Sequence, residues 1–295
     1  MINLLLMAMT VIWGTSFPIT KMGLSSGLGT SMLLTLWFFS AFLILLLAFH
    51  KRLKKITAAD LSPSIACGVL MFLGYWLQVE GQKYTTPSIS AFITSSYVVF
   101  VPFTVWLIEK KRPDSKVFLL SFLVFVGVVV MTPFDGQSGS LLGSLISLFG
   151  AIGMSLHIVY IGRVAQKVSP EILTTVQMLT VSVISMAACM LFGEWRLVQI
   201  DYKTAAFSTL YLGLFCTAIC LFGQSYAQKR ARPETAAIIF SMEGLFGFIF
   251  SIILKMETFS INMLVGGIII LLAAVLINIV QFQDEVRQKE CKLLE

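Results

Sequence analysis

Ten apolar runs, separated by short polar breaks, take up almost the whole of this 295-residue chain. They cover about 4–20, 31–49, 62–82, 88–108, 117–132, 140–162, 172–192, 205–228, 235–254 and 263–282. Most are as long as a helix must be to cross the hydrocarbon of a bilayer. In lipid every backbone amide must find its partner inside the protein, which leaves helices or closed barrels. The runs are continuous rather than alternating, so helices are expected. Only 12% of residues are charged, about half the share of a soluble domain, and the mean hydropathy is +0.90. The expected fold class is an all-α integral membrane protein with ten transmembrane helices.

The breaks between runs carry an orientation. With the N-terminus in the cytoplasm, sixteen of the 21 Lys and Arg fall in cytoplasmic loops and the C-terminal tail. They include Lys51, Arg52, Lys54, Lys55, Lys110, Lys111, Arg112, Lys116, Arg163, Lys167, Lys229, Arg230 and Arg232. Lys21, Lys83, Arg196, Lys203 and Lys255 fall outside. This is the positive-inside bias, and it accounts for the formal charge of +6 without nucleic acid as a partner. Met1, Ile2 and Asn3 lead straight into the first run with no basic n-region, so a retained first span is expected.

The chain also contains itself twice. A shift of 146 positions lays Pro233 on Pro87, Gln224 on Gln78, Gln228 on Gln82, Lys229 on Lys83, Ala237 on Ala91 and Ser241 on Ser95, without a gap. Five spans per copy is an odd number, so the copies lie in opposite orientation. Inverted repeats are a recurring plan of secondary transporters, with the solute site near the midplane between the halves. The expected units are 1–133, 134–282 and a charged cytoplasmic tail, 283–295.

At this point the chain resembles the EamA-type transporters of the drug/metabolite transporter superfamily. The resemblance rests on Trp13, Gly14, Thr15, Ser16 and Phe17 in the first span, and on the Gln-and-Pro hairpins after spans three and eight. Glu257 leading to Gly266 and Gly267 adds to it. It implies solute transport by alternating access, often efflux of amino acids or other metabolites, without ATP hydrolysis. It further implies a central cavity walled by spans one, three, four, six, eight and nine. The chain departs from the family pattern at Trp37, where relatives often carry Arg, and at Lys110 and Lys111, where they often carry Gly-Glu.

Within span nine stands one carboxylate, Glu243. An acid at that depth is costly and marks a functional site by default. It is expected to couple protons, to hold a cationic group of the solute, or to serve as a structural acid bonded to a neighbouring helix. The repeat register sets Tyr97 opposite it. Ser90, Thr94 and Tyr97 share a helical face, as do Tyr75, Gln78 and Gln82 in span three. These stripes face either a cavity or a hydrogen-bonded helix neighbour. Gln224 and Gln228 near the inner end of span eight read as gate elements or as caps of the hairpin. His157 in span six either lines the inner half of a pathway, in relay with Glu243, or is structural. Trp13 and Phe17 sit mid-span, as a cavity wall able to stack on a cation or as bulk packing. Glu80 reads as an interfacial acid, and Trp76, Trp106 and Trp195 as interfacial anchors.

Gly139, Gly143, Ser147, Ala151 and Ser155, each four apart, form a close-packing face on span six. Gly244 and Gly247 read the same way. Cys216 and Cys220 lack the further ligands of a metal site and read as packing, as do Cys67 and Cys189; Cys291 lies in the tail. No nucleotide loop, catalytic triad or zinc signature stands in the sequence, so neither a cofactor nor an enzymatic activity is expected. The expected partners are a small-molecule solute, protons as a coupling ion and the lipid of an inner or cytoplasmic membrane. Ten spans suffice for a pathway in one chain, which leaves monomer and homodimer open.

Overall fold

The structure is a computed structural model that describes residues 2–110, 112–131, 141–196, 199–228 and 239–294. Among them there is no strand. The helices are α1 (Ile2–Ser25), α2 (Thr30–Leu53), α3 (Ala58–Lys83), α4 (Pro87–Ser95), α5 (Tyr97–Glu109), α6 (Ser115–Met131), α7 (Leu141–Val164) and α8 (Pro170–Leu191). They continue with α9 (Tyr202–Tyr211), a π-helical stretch (Leu212–Ile219), α10 (Cys220–Gln228), α11 (Glu243–Ile253) and α12 (Ile261–Leu294). Seven helices are long and apolar enough to cross a membrane, and three shorter apolar helices join them. The chain is therefore a multi-pass membrane protein, as its apolar runs require.

Helix starts follow from local chemistry. Thr57 and Asp60 close a capping box at the start of α3, which satisfies backbone donors that have no helical partner. Pro87 and Pro170 open α4 and α8, where a missing N–H costs nothing. Asp201 caps α9 by accepting from the amides of Lys203 and Thr204.

Three of the spans show detail beyond the expected apolar runs. The fourth span is two helices, α4 and α5, meeting at a turn at Ser96. The eighth is interrupted by the π-helical stretch. The last helix runs on to Leu294, so the segment expected as a separate tail is helical up to that point. The boundary at 133/134, Gly139, Lys111 and the hairpin carrying Lys229, Arg230, Arg232, Pro233, Glu234 and Ala237 lie outside the described residues. The side chains of Glu109, Gln228 and Cys291 lie outside them as well.

The helices pack in an ordered set of pairs: α2 along α8, α3 along α7, α6 along α12, α4 against α11, and α1 against α9, the π-helical stretch and α10. Counted in chain order as two sets of five spans, the second, fourth and fifth spans of one set each pair with their own counterpart. The third span pairs with the first of the other set, and the reverse. Large apolar side chains such as Leu119, Phe122, Val183 and Leu272 remain exposed on the outside, as a lipid-facing surface requires.

The small-residue face on α7 meets α3 closely. A Cβ on Gly81 would lie 2.3 Å from Ser147 Oγ and 2.7 Å from the Gly143 carbonyl oxygen, and one on Gly150 would lie 2.8 Å from the Gln78 nitrogen. Backbones touch here, so even one methyl must push the helices apart. Gly81→Ala is expected to cost about 1–3 kcal/mol, the range of overpacked cores, and to lower the unfolding midpoint in detergent. Gly162→Ala has nothing within 4 Å of the added methyl and serves as the unperturbed control. Gly244 and Gly247 also pack: added Cβ atoms would meet Ser95 Oγ at 2.6 Å and Ala91 Cβ at 2.4 Å.

Candidate functional site

Two broken helices meet at the centre of the bundle. Ser96 (φ −68°, ψ −6°) and Met242 (φ −76°, ψ −7°) each leave the helical path by the same turn. The bond from the Ser96 amide to the Ile93 carbonyl recurs from the Met242 amide to the Ile239 carbonyl, both 3.1 Å. These pairs are 146 positions apart, the register of the sequence repeat. Tyr97 is the first residue of α5 and Glu243 the first of α11. Each therefore stands at the N-terminus of a half-helix, where free amides and the helix dipole favour negative charge.

Between these half-helices lies a cavity of about 50 Å³. A buried water needs roughly 10–15 Å³ of such space, so the cavity has room for only a few waters. Trp13 and Ser16 from α1, Trp37 from α2, Met71, Tyr75 and Gln78 from α3, and Thr94 and Tyr97 from α4 and α5 line it. Met154, His157 and Ile158 from α7, Cys216, Leu221 and Gln224 from the eighth span, and Glu243 complete the wall.

The polar lining is unusual in what it leaves unpaired. Glu243 is 9% exposed and Gln78 and Gln224 are each 4% exposed, yet among the described residues no hydrogen bond or ion pair holds any of them. The phenols of Tyr75 and Tyr97 lie within electrostatic reach of the Glu243 carboxylate and are likewise unpartnered, and the Thr94 hydroxyl is buried without a partner. Buried polar groups are nearly always bonded, and exceptions gather at sites of function.

The aromatic wall is held firmly. The Trp13 indole donates to the Cys216 carbonyl at 2.8 Å, and the Trp37 indole donates to Thr217 Oγ1 at 2.6 Å. Both acceptors, one a backbone carbonyl and one a side-chain hydroxyl, belong to residues of the π-helical stretch, a feature frequent at functional sites. Trp37 packs edge-on to Tyr75 with ring centroids 5.4 Å apart, and Trp13 edge-on to Phe240 at 5.2 Å. Their polar ends are thereby committed, and these rings have little freedom to reorient.

Of the residues singled out from the sequence, Glu243, Tyr97, Trp13, His157, Thr94, Gln78, Gln224 and Tyr75 line this one cavity. Ser90 does not. It is fully buried one turn from Thr94, with its hydroxyl unpartnered, because the cavity closes before reaching it. Gln82 also lies elsewhere, donating to the Phe17 carbonyl at 2.7 Å. His157 is tied to Gln177 Oε1 at 2.8 Å and no hydrogen bond joins it to Glu243 among the described residues, so its structural role is visible while its ring borders the cavity. The sequence reading missed Trp37, Ser16, Met71, Met154, Ile158, Cys216 and Leu221. Trp37 carried the same signal as Trp13, a tryptophan away from the interfaces; the others carried none.

At the end expected to face outward, polar groups knit the bundle shut. Lys21 Nζ donates to the carbonyls of Gln82 (2.7 Å), Thr85 (2.8 Å) and Lys83 (3.3 Å), capping α3. Glu257 accepts from the Ser88 amide at 2.7 Å, at the start of α4. Glu80 pairs with Lys83 at 2.7 Å and accepts from Thr30 at 2.6 Å, and is thus held in a polar network. Trp106 and Trp195 are exposed, whereas Trp76 stacks on Phe192 and donates to Ser31.

Comparison with known proteins agrees with this architecture. The model of the EamA-like transporter family matches residues 1–132 and 141–279. A transporter of Archaeoglobus fulgidus is 28% identical over 270 residues, covering 91% of this chain and 83% of the relative. A solved crystal structure superposes with a TM-score of 0.66 at 14% identity, covering 94% of this chain and 96% of the other, and so shares the fold.

Proposed function

The chain belongs to the EamA-like transporter family, and from that membership we propose that it exports a small metabolite bearing an ammonium group, an amino acid or amine, by alternating access. The observation that carries the reading is Glu243, a carboxylate unpartnered among the described residues, in a small cavity walled by Trp13, Trp37, Tyr75 and Tyr97. A carboxylate beside aromatic faces is the chemistry that recognises an organic cation, since ring faces attract positive charge and do so most strongly when desolvated. Gln78 and Gln224 supply donors and acceptors for a second polar group on the solute. The two halves are the inverted repeats, 1–133 and 134–282, moving about the central site. Their reciprocal helix pairing and the matching turns before Tyr97 and Glu243 support this arrangement.

A second reading shares the cavity. Glu243 alternately binding a proton and a cation would make the protein a proton-coupled antiporter or importer, and the absence of a paired cation among the described residues favours that exchange. A non-transporting scaffold would have no use for a polar cavity around a lone acid, whereas a receptor would bind a solute there without moving it. The test is a thermal-shift screen of the purified protein with amino acids, amines and neutral nucleosides, followed by flux in proteoliposomes. Ligands that bind only the folded state raise its apparent stability. The reading predicts shifts confined to cationic or zwitterionic compounds, and saturable flux of the same ones. Shifts from neutral compounds alone would refute the cation site; no flux of any binder would favour the receptor.

A further inference from the structure

A second cavity lies away from the central site, on the membrane-facing surface between α2, α3 and α8. It is a groove of about 530 Å³. Its wall is almost wholly hydrocarbon: Phe42 and Leu53 from α2, Ile65 and Val69 from α3, and Leu179 and Val183 from α8 are among the side chains that form it. The two threonines that could make it polar do not. Thr175 Oγ1 and Thr180 Oγ1 donate to the carbonyls of Glu171 and Val176 in their own helix. Gly68 sets how closely α3 approaches α8, since a Cβ there would lie 2.6 Å from Thr180 Cβ.

The groove has a direction and a depth. On α3 it extends from Leu61 to Val69, and on α8 from Thr175 to Ile184, which at 1.5 Å per residue is roughly 12–14 Å. That matches one leaflet, half of a hydrocarbon core of about 30 Å. Its shallow end opens at the connection between α2 and α3. There Leu53 and Ile56 turn into the groove while Lys51, Arg52, Lys54 and Lys55 stay exposed. None of these four cations takes part in an ion pair among the described residues. Asp60 is bonded to Thr57, and Glu171 is in the first turn of α8, so the groove mouth is strongly basic.

We propose that this groove is a binding site for one anionic phospholipid of the cytoplasmic leaflet, its acyl chain lying between α3 and α8 and its phosphate held by the Lys51–Lys55 segment. Basic residues next to a membrane surface attract anionic lipid. The leaflet-deep groove adds what a diffuse basic surface lacks, a defined seat for a single chain. The α2–α8 and α3–α8 contacts lie along the same wall, so an occupied groove also splints helices from both halves of the bundle.

The test uses full-length protein in nanodiscs of phosphatidylcholine doped with phosphatidylglycerol, with retained lipid read by native mass spectrometry. Phosphatidylglycerol is expected to be retained over phosphatidylcholine about ten-fold or more, given the attraction of several basic residues. Lys51→Gln, Arg52→Gln, Lys54→Gln and Lys55→Gln combined should abolish that preference. Ile65→Trp and Val183→Trp, at positions 44% and 59% exposed, fill the groove without entering the core and should do the same in a folded protein. Equal retention of both lipids overturns the proposal. So does a preference that survives in both groove-filled variants, which would mean diffuse attraction to the basic surface. Failure of the transport reading would leave these outcomes unchanged, because the groove and the central cavity share no residue.

Discussion

Glu243→Gln is expected to lower solute flux in proteoliposomes by at least about ten-fold and to flatten its dependence on pH. Glutamine keeps the shape of the side chain and its place at the head of α11 but cannot carry charge or release a proton. The carboxylate has no hydrogen bond or ion pair among the described residues, so its neutralisation breaks no such contact there and should leave the unfolding midpoint nearly unchanged. What is lost is the interaction with the cargo. A hydrogen bond to a charged group contributes about 1.5–3 kcal/mol, which corresponds to roughly ten- to a hundred-fold in affinity. Tyr97→Phe removes only the phenolic hydroxyl from the opposing half-helix, keeping the ring, and should weaken flux less, while keeping its pH dependence. Equal flux with and without the Glu243 carboxylate, at every pH, would remove it from the mechanism. A fall in flux matched by a fall in unfolding midpoint would instead mark a structural acid.

The asymmetry of the two half-helices bears on the coupling. Their backbones repeat each other at Ser96 and Met242, yet one presents a phenol and the other an acid. A symmetric pair of carboxylates would repel and share a proton. A single carboxylate facing a neutral phenol can empty and refill completely in each cycle. That is what exchange of one cation for one proton requires, and it is why the antiport reading stays close to the export reading rather than competing with it.

Much of this site could be read from the chain because membrane burial makes polar side chains conspicuous. Glu243, Gln78, Gln224, Tyr75 and Thr94 stand out in apolar runs, and helical spacing collects several of them on faces. The repeat register supplied Tyr97. What stayed hidden follows from features with no such cost. Apolar lining residues such as Met71 and Met154 resemble any core residue in sequence, and only the path of the backbone tells wall from filler. The turns at Ser96 and Met242 involve no proline or glycine at the break itself, so no local breaker announces them, and the single Gly213 in the π-helical stretch at Leu212–Ile219 reads in sequence like any packing glycine. Ser90 was drawn into the cavity by a periodicity that is blind to where a cavity ends. The role of Lys21 was illegible for the opposite reason: its partners are backbone carbonyls of the hairpin after α3, which no side-chain pattern encodes.

Those carbonyl contacts make Lys21→Met the variant expected to shift the conformational cycle most. Lys21 holds the C-terminal carbonyls of α3, and Glu257 holds the Ser88 amide at the start of α4. One hairpin is thus gripped from α1 on one side and from the α11–α12 connection on the other, cation on carbonyl and anion on amide, as helix dipoles favour. Opening this end for release must break both grips. With charged hydrogen bonds contributing about 1.5–3 kcal/mol when buried, and less for a half-exposed lysine, Lys21→Met should raise the open fraction roughly ten-fold. Cys216 borders the cavity and reports on it. In protein keeping only that cysteine, a membrane-impermeant thiol reagent added outside should label Lys21→Met faster than the parent. Burial pushes the Glu257 carboxyl above the ordinary 4.5, against the opposing pull of the Ser88 and Thr86 hydrogen bonds and the Lys21 charge. A raised value in the closed form means that closure binds a proton. Its advantage is full below the ordinary value and is lost as pH rises through the raised one, so mild alkalinisation should favour opening. Glu257→Gln, measured at each pH as the reference, should lack that trend. Unchanged labelling in Lys21→Met would mean that this end is held by its apolar packing, and that the rate of opening is set elsewhere in the bundle.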